Sequence, residues 1–578
     1  MPDRLTPSQI DLGERLKTLS PKKRALLDLL SKRRRVNGYQ LVAHALLNNG
    51  VTHIYAISGV PVQELLAAAV KAGIRVVGTR HQQAAVMMAI AHNYVAGRIN
   101  AITIVSAGPA ATNAATGLLV ARDNAWPVIV LGGRRQGVSG RQDGFQELDA
   151  AQLYQSITKW TLCVGKVGDI PRAINQAFEV AMSGRPGPVY LDVTEDALRT
   201  QCTCSPVGPP GSSTAEIDIN RDEIEQAAEL LRNAKQPAFI LGKGTRWSLV
   251  PEDLAGVIEQ HQVAFISSPM GRGILPDEHP LCFNEAKRQL QATADVVLVL
   301  GARLNWTFRF GSQIHPRAKV IQVDIDPEEA RKSGKICLGI VADAGAFVAR
   351  LRAALGNAPE KELLAARALW HISLASDCDR QRAIVEERCR SDRFPMSAYR
   401  LMKELKASLP ADAIVVADGN ISMMAAQHVI PTRTPFSRFT AGTNGCMGVG
   451  VPFGIGARLG DPSRPVVVIS GDMAFGISGM ELETAVRCEA PVIVVVVNNQ
   501  GLSGGHKQPG LYPEGCECIA MFQPGIRYEK LAEALGAHGE YVEHPAQIRP
   551  AIARALKSER PTCINVRVDP REEFMSDL

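Results

Sequence analysis

The feature that most constrains the fold is a pair of unbroken apolar runs, Val466-Val467-Val468-Ile469-Ser470 and Val492 to Val497, which end in Gly471-Asp472 and Asn498-Asn499. Valine and isoleucine at nearly every position is the pattern of a strand buried on both faces, and such strands belong to parallel sheets covered by helices. Asp472 and Asn499 stand 27 residues apart, enough for strand, crossover helix and return strand, so both fall at the carboxyl edge of one sheet. The stretch between them, Gly476 to Arg487, has helical spacing with Met480, Leu482 and Val486 as the expected inward positions.

Open α/β sheets bind their ligands at that edge. A carboxylate and a carboxamide on neighbouring strand ends offer hard oxygen donors suited to Mg²⁺, an ion that usually binds together with a phosphate. Taken singly, Asp472 reads as an N-cap and Asn499 as a turn residue. The pair, with both strands and the spacing intact, favours the metal reading.

At 578 residues, 46% hydrophobic and 21% charged, the chain is of ordinary globular composition and long enough for three or four domains. No apolar run reaches the roughly 18 residues of a membrane span, and the first residues lack a signal-peptide core, so the expected address is the cytoplasm. The first 35 residues hold ten Lys or Arg against four Asp or Glu, which accounts for the whole formal charge of +6. The rest of the chain is balanced, so it offers no basic field for nucleic acid. Twelve cysteines are scattered, and the close pairs Cys202/Cys204 and Cys516/Cys518 have the wrong spacing for a zinc ribbon; they are read as reduced thiols.

Short β-rich runs alternate with helical stretches in three blocks, which predicts an α/β fold of three doubly wound parallel-sheet domains. The expected boundaries are 36–200, 216–356 and 385–570, joined by a Pro/Gly/Ser-rich linker at 201–215 and a linker helix at 357–384, with a tail at 571–578. Residues 1–35 read as a basic amphipathic helical extension: a solvated or packed arm, or a docking element.

The phrase Gly471-Asp-Met-Ala-Phe-Gly-Ile-Ser-Gly-Met-Glu-Leu-Glu-Thr484, with Asn498-Asn499, resembles the thiamine diphosphate signature of the pyruvate decarboxylase and acetolactate synthase superfamily, and within it the 2-hydroxyacyl-CoA lyase and oxalyl-CoA decarboxylase branch. The resemblance covers about nine-tenths of the chain and implies pyrimidine-binding, middle and diphosphate-binding domains in that order, with the cofactor held between two subunits of a dimer or tetramer. It implies Asp472, Asn499 and the Gly501 carbonyl as Mg²⁺ ligands, Gly419, Asn420 and the amides near Met473 and Ala474 as the diphosphate cradle, Met447 as the wedge between the cofactor rings, and the Gly445 carbonyl as acceptor for the 4′-amino group. A buried Met filling a core gap and a plain tight turn are the structural alternatives.

In the first block the resemblance implies Phe145 and Gln146 facing the reaction centre, and His81 near the substrate. The departure is Gln82. Relatives read Arg-His-Glu-Gln-Ala-Ala where this chain reads Arg80-His81-Gln82-Gln83-Ala84-Ala85, and an amide hydrogen-bonds to N1′ but relays no proton. In the middle block, Gly242-Lys243-Gly244, Gly301-Ala302-Arg303 and Asp324, with Arg185, resemble the residues that hold ADP or the ADP end of coenzyme A; salt-bridged domain packing is the alternative.

The implied activity is carbon–carbon bond cleavage or formation on 2-hydroxyacyl thioesters through a C2 adduct. Decarboxylation or carboligation of 2-oxoacyl thioesters or 2-oxoacids stands beside it, and a cofactor-binding but inactive scaffold is kept open by Gln82. The segment after Asp569 is shorter than the family's substrate-covering lid, and Gly501-Leu-Ser-Gly-Gly lacks the aromatic residue relatives often carry. Both suit an acyl group brought by a carrier protein, with 501–515 as a mobile lid or a plain surface loop.

Overall fold

The computed structural model describes residues 35–135, 144–203, 218–247, 251–502, 513, 516 and 520–572. The docking extension, the 206–213 stretch, most of the 501–515 loop and the end of the tail lie outside them.

Three parallel sheets form around central Val/Ile/Leu-rich strands that are buried on both faces. The first holds β1 (His53–Ala56), β2 (Arg75–Gly78), β3 (Ala101–Val105), β4 (Val128–Arg134), β5 (Trp160–Val164) and β6 (Pro188–Thr194), in the order 2-1-3-4-6-5. The second holds β7 (Pro237–Leu241), β8 (Ala264–Ser267), β9 (Val296–Leu300), β10 (Lys319–Asp324) and β11 (Ile336–Val341), in the order 8-7-9-10-11. The third holds β12 (Ile414–Asp418), β13 (Arg438–Phe439), β14 (Val466–Gly471), β15 (Ile493–Asn498), β16 (His538–Val542) and β17 (Thr562–Arg567), in the order 13-12-14-15-17-16. The first and third sheets thus share one topology. An antiparallel pairing of Val36–Asn37 with Gln201–Cys202 ties the start of the first block to its end.

The three orders reverse between β1 and β3, β7 and β9, and β12 and β14, and a crevice opens at the carboxyl ends of strands flanking such a reversal. Asp418 and Gly471-Asp472 end the two strands of the third reversal.

The helices that matter for the site are α1 (Gln82–Ala96), α2 (Lys361–Cys389), α3 (Asn420–Val429), α4 (Gly450–Gly460) and α5 (Asp472–Ser478). Helix α2 runs 29 residues and packs on the middle block through Trp370, Leu374 and Cys378. Helices α1 and α4 lie against each other and share one buried cluster, in which Met87, Met88 and Ile90 meet Val451, Phe453 and Ile455. A β-carbon on Gly456 would stand 2.1 Å from the Met88 carbonyl oxygen, so only glycine permits this approach. Tyr94 of α1 meets Phe439 edge to face at 4.9 Å, and Trp126 meets Phe453 at 5.6 Å, so the first and third blocks are joined by a continuous aromatic seam.

The segment between β14 and β15 departs from the expected single helix. After α5 the chain makes a 3₁₀ turn at Gly479–Glu481 and a second short helix at Leu482–Arg487. Leu482 is buried as expected, whereas Met480 is 44% exposed, because the turn rotates it off the inward face. No helix among the described residues is long and apolar enough to cross a membrane.

Candidate active site

Asp472 follows β14 directly and is 1% exposed. Its Oδ1 accepts from the Met473 amide at 2.8 Å and its Oδ2 from the Gly501 amide at 3.0 Å. Burial lifts its carboxyl from 3.8 to about 6, and those backbone donors pull back against it. Asn499 follows β15, 5% exposed, and its carboxamide points one group at both Asp472 Oδ1, 3.1 Å away, and the Gly501 carbonyl oxygen, 3.0 Å away. If that group is Nδ2 it donates two hydrogen bonds; if it is Oδ1, three oxygens converge. In an octahedral site with metal–oxygen distances of about 2.1 Å, adjacent ligand oxygens stand about 3.0 Å apart. Both spacings around the Asn499 carboxamide match those between adjacent ligands in a Mg²⁺ coordination shell. Clusters of three or more His, Cys, Asp or Glu side chains are absent among the described residues, so the donor set here is hard oxygen rather than a thiolate or imidazole site.

Across the strand reversal, Gly419 adopts φ +88° and turns the chain from β12 into α3, where Asn420 is the first residue and exposed. A β-carbon on Gly419 would lie 3.3 Å from the Gly471 amide nitrogen, so the two strand ends meet here. Ala474 is buried behind them, and the Met473 amide is already engaged by Asp472. The Gly442–Gly450 loop rims the same edge: Gly445 is left-handed at φ +70°, and Met447 is 37% exposed. Asp418, which sequence reasoning treated only as a strand end, anchors that loop by accepting from the Gly450 amide at 2.6 Å, and burial raises its carboxyl to about 6.

On the first sheet's edge, Gln82 opens α1 and is 9% exposed, with Oε1 accepting from Asn113 Nδ2 at 3.0 Å. His81 is its N-cap: ring Nδ1 accepts from the Gln83 amide at 3.1 Å, a local structural role. Gln146 sits at φ +59° in contact with Gly108, while Phe145 is 70% exposed beneath Arg135, 5.7 Å from its ring centroid. These residues share one sheet edge and the metal-type residues another.

Three family models cover the chain in succession: the thiamine pyrophosphate enzyme N-terminal TPP binding domain over residues 36–153, the central domain over 224–351 and the C-terminal TPP binding domain over 417–566. The chain is 32% identical to human 2-hydroxyacyl-CoA lyase 1 over 559 residues, covering 93% of this chain and 95% of the relative. It is 34% identical to 2-hydroxyacyl-CoA lyase of Arabidopsis thaliana over 556 residues (93% and 96%), and 31% identical to oxalyl-CoA decarboxylase of Escherichia coli over 544 residues (92% and 95%). The chain belongs to the thiamine pyrophosphate enzyme family.

In this thiamine pyrophosphate enzyme Lys243, Arg303 and Asp324 stand at the carboxyl ends of β7, β9 and β10, and Arg185 comes from the first block. Lys243 Nζ donates to Asn124 Oδ1 at 2.8 Å and lies over the Trp126 ring; burial, with Arg303 and Arg185 nearby, pushes its ammonium well below the usual lysine range. Arg303 donates to the Asp123 carbonyl and, at 3.2 Å, to Thr443 Oγ1. Arg185 pairs with Asp326 at 3.7 Å and Glu329 at 3.6 Å, and burial raises the Asp324 carboxyl to about 6. Lys243 and Arg303 thus both bond across block boundaries.

A second feature escaped sequence reasoning altogether. A cleft of about 780 Å³ lies where the end of β8, helix α2, the end of the helix Ala398–Lys406 and the end of α3 meet. Its wall carries Arg272, Lys287, Arg382, Lys406 and Arg433; Arg272 is paired with Asp277 at 2.6 Å, Arg382 with Glu285 at 3.3 Å and Arg433 with Glu278 at 2.8 Å, and Lys287 and Lys406 stand beside them. Burial and the neighbouring Lys287 and Arg272 depress the His428 imidazole to about 4, so it faces the cleft neutral at pH 7. Its wall comes from segments spread between Ile266 and Arg549, which no local motif reveals.

Proposed function

We propose that the protein is a thiamine diphosphate- and Mg²⁺-dependent lyase or ligase that breaks or forms the carbon–carbon bond next to the carbonyl of a 2-hydroxyacyl thioester. The observation that carries this reading is the convergence of the Asp472 carboxylate, the Asn499 carboxamide and the Gly501 carbonyl at octahedral spacing on the strand reversal. Those three groups would hold the cation, and the N–H groups of Gly419, Asn420 and Ala474 would receive the diphosphate. Met447 supplies the apolar rim beneath the rings, and the Gly445 carbonyl an acceptor for the amino group. The bound thiamine supplies the electron sink that chemistry next to a carbonyl requires.

The remaining work belongs to the chain. Because Gln82 Oε1 is engaged by Asn113, its Nε2–H₂ is the end left to donate to a ring nitrogen. It orients that nitrogen without delivering a proton. The cationic cleft suits the phosphorylated handle of an acyl thioester, as coenzyme A or a phosphopantetheinyl carrier would present it. Exposed Phe145, Met447 and Ile477 at the two sheet edges suit a homo-oligomer in which the first block of one subunit faces the third block of another.

Incubating the purified protein with thiamine diphosphate, Mg²⁺ and panels of 2-hydroxyacyl and 2-oxoacyl thioesters, with product detection by mass spectrometry, tests the reading. Aldehyde and the shortened thioester from a 2-hydroxyacyl substrate support it; carbon dioxide from a 2-oxoacyl substrate favours the decarboxylase alternative. Gln82 favours a second reading, a cofactor-binding scaffold without turnover, which silence of both the parent and the Gln82→Glu variant would support.

A further inference from the structure

The turn that presents Gln82 is held by the third block of its own chain. Glu481, 2% exposed, places Oε1 on the Arg80 amide at 3.1 Å and the His81 amide at 3.0 Å, and Oε2 on the Arg80 amide at 3.2 Å and the Thr484 hydroxyl at 2.6 Å. The same segment adds further grips. Arg487 Nη2 donates to the Gly78 carbonyl at 2.5 Å, Arg75 Nη2 donates to the Cys488 carbonyl at 2.8 Å, and Arg80 pairs with Glu483 at 3.7 Å.

Its own block holds the turn through the Thr79 amide on the Ala56 carbonyl at 2.9 Å and the Thr79 hydroxyl on the His81 carbonyl at 3.3 Å, and leaves the Arg80 and His81 amides to Glu481. Gln82 side-chain placement there depends on one bond to Asn113, while the two residues before it hang their backbone on Glu481. Residues at a helix start have free N–H groups, and a buried carboxylate satisfying two of them fixes the backbone more tightly than an exposed cap would. Glu481 lies nine residues after Asp472 on a continuous α5, 3₁₀-turn and helix segment. The metal-type residue and the clamp on the Gln82 turn are therefore two ends of one short element.

We propose that Glu481 is a positioning residue: through the Arg80 and His81 amides it sets where the Gln82 carboxamide stands, and in the oligomer proposed above it thereby links the cofactor site that uses Gln82 to the neighbouring site that uses the same chain's Asp472. This rests on the proposed role of Gln82 toward the cofactor. Removing the carboxylate frees the turn without touching Gln82, Asn113 or the metal-type residues, and a misplacement of about 1 Å at such a group costs up to about 10²-fold in rate.

The test has two arms on the full-length protein, with variants Glu481→Gln and Glu481→Ala. In the first, without cofactor, amide hydrogen exchange is followed by mass spectrometry over residues 75–96. Glu481→Ala is expected to raise exchange at Arg80 and His81 by about tenfold or more, with Glu481→Gln intermediate because it keeps one acceptor, and with the α1 interior unchanged. In the second, with thiamine diphosphate and Mg²⁺ bound, hydrogen–deuterium exchange at the cofactor C2 is timed. Glu481→Gln is expected to bind cofactor within about threefold of the parent, to exchange about tenfold slower, and to lose most of the acceleration that Gln82→Glu brings. Unchanged exchange at Arg80 and His81 in Glu481→Ala, or equal acceleration by Gln82→Glu with and without Glu481, overturns the proposal. Failure of the parent to bind the cofactor would instead overturn the proposed function, with the first arm still deciding whether Glu481 holds the turn.

Discussion

Lys243 Nζ of the middle block and Asn124 Oδ1 of the first block meet at 2.8 Å, and the same oxygen accepts from the Thr443 amide of the third block at 3.1 Å. One carboxamide thus touches all three blocks, and its Nδ2 completes the set by donating to the Val120 and Ala441 carbonyls at 3.0 Å each.

Replacing Asn124 by alanine leaves the Lys243 ammonium and the Thr443 amide without their acceptor. The expected loss is about 1–3 kcal/mol, seen as an earlier denaturant midpoint, with the first and third blocks reporting the change together. Asn124→Asp should not recover the loss, because its second oxygen would face the Val120 and Ala441 carbonyls that the Nδ2 group now satisfies.

Asp472→Asn removes the one formal negative charge from the proposed cation ligands. Cofactor affinity in the presence of Mg²⁺ is expected to fall about 10²-fold or more by calorimetry, while the cofactor-free protein keeps or gains thermal stability because an ionised carboxylate no longer has to be buried.

The pH dependence follows from the direction of the shift. Asp472 moves from 3.8 to about 6, so the folded state holds its proton longer than the unfolded state. The stability this contributes is full below about 4 and is lost as pH rises to about 6. Asp418, raised to about 6 by burial, acts in the same sense. Cation binding needs the ionised form, so the thermal shift produced by Mg²⁺ and thiamine diphosphate should grow between pH 5 and about 6.5 and level off above it, and Asp472→Asn should abolish that slope.

Gln82→Glu restores a proton-relaying group at the start of α1. Exchange of the C2 hydrogen of bound thiamine diphosphate should accelerate by about 10² to 10⁴. No acceleration would show that position 82 does not meet the aminopyrimidine.

Reversing charge at Lys287 or Lys406 should raise KM for a coenzyme A thioester about tenfold, and more at low salt, while leaving KM for the matching N-acetylcysteamine thioester nearly unchanged. Equal effects on both substrates would remove the cleft from substrate recognition.

Much of this architecture was legible because its signals are local. The runs before Asp418, Asp472 and Asn499 announce buried strands, and the residue after each strand falls at the ligand-binding edge by topology alone. Burial on one face is also local, but its direction is not. Met480 follows the helical period and yet is exposed, because the chain tightens into a 3₁₀ turn that no residue in 472–487 signals. Asn124, Glu481 and the cationic cleft were unreadable for a different reason. Their partners lie more than a hundred residues away, and a lone Asn or Glu inside an α/β block looks like any solvated polar residue until the blocks are assembled.

The missing β-carbon at Gly456 has a thermodynamic consequence. Because the backbones of two blocks touch where a methyl group would have kept them apart, neither can loosen without exposing the shared aromatic seam to water. Calorimetry should therefore record the first and third sheets melting as one cooperative unit.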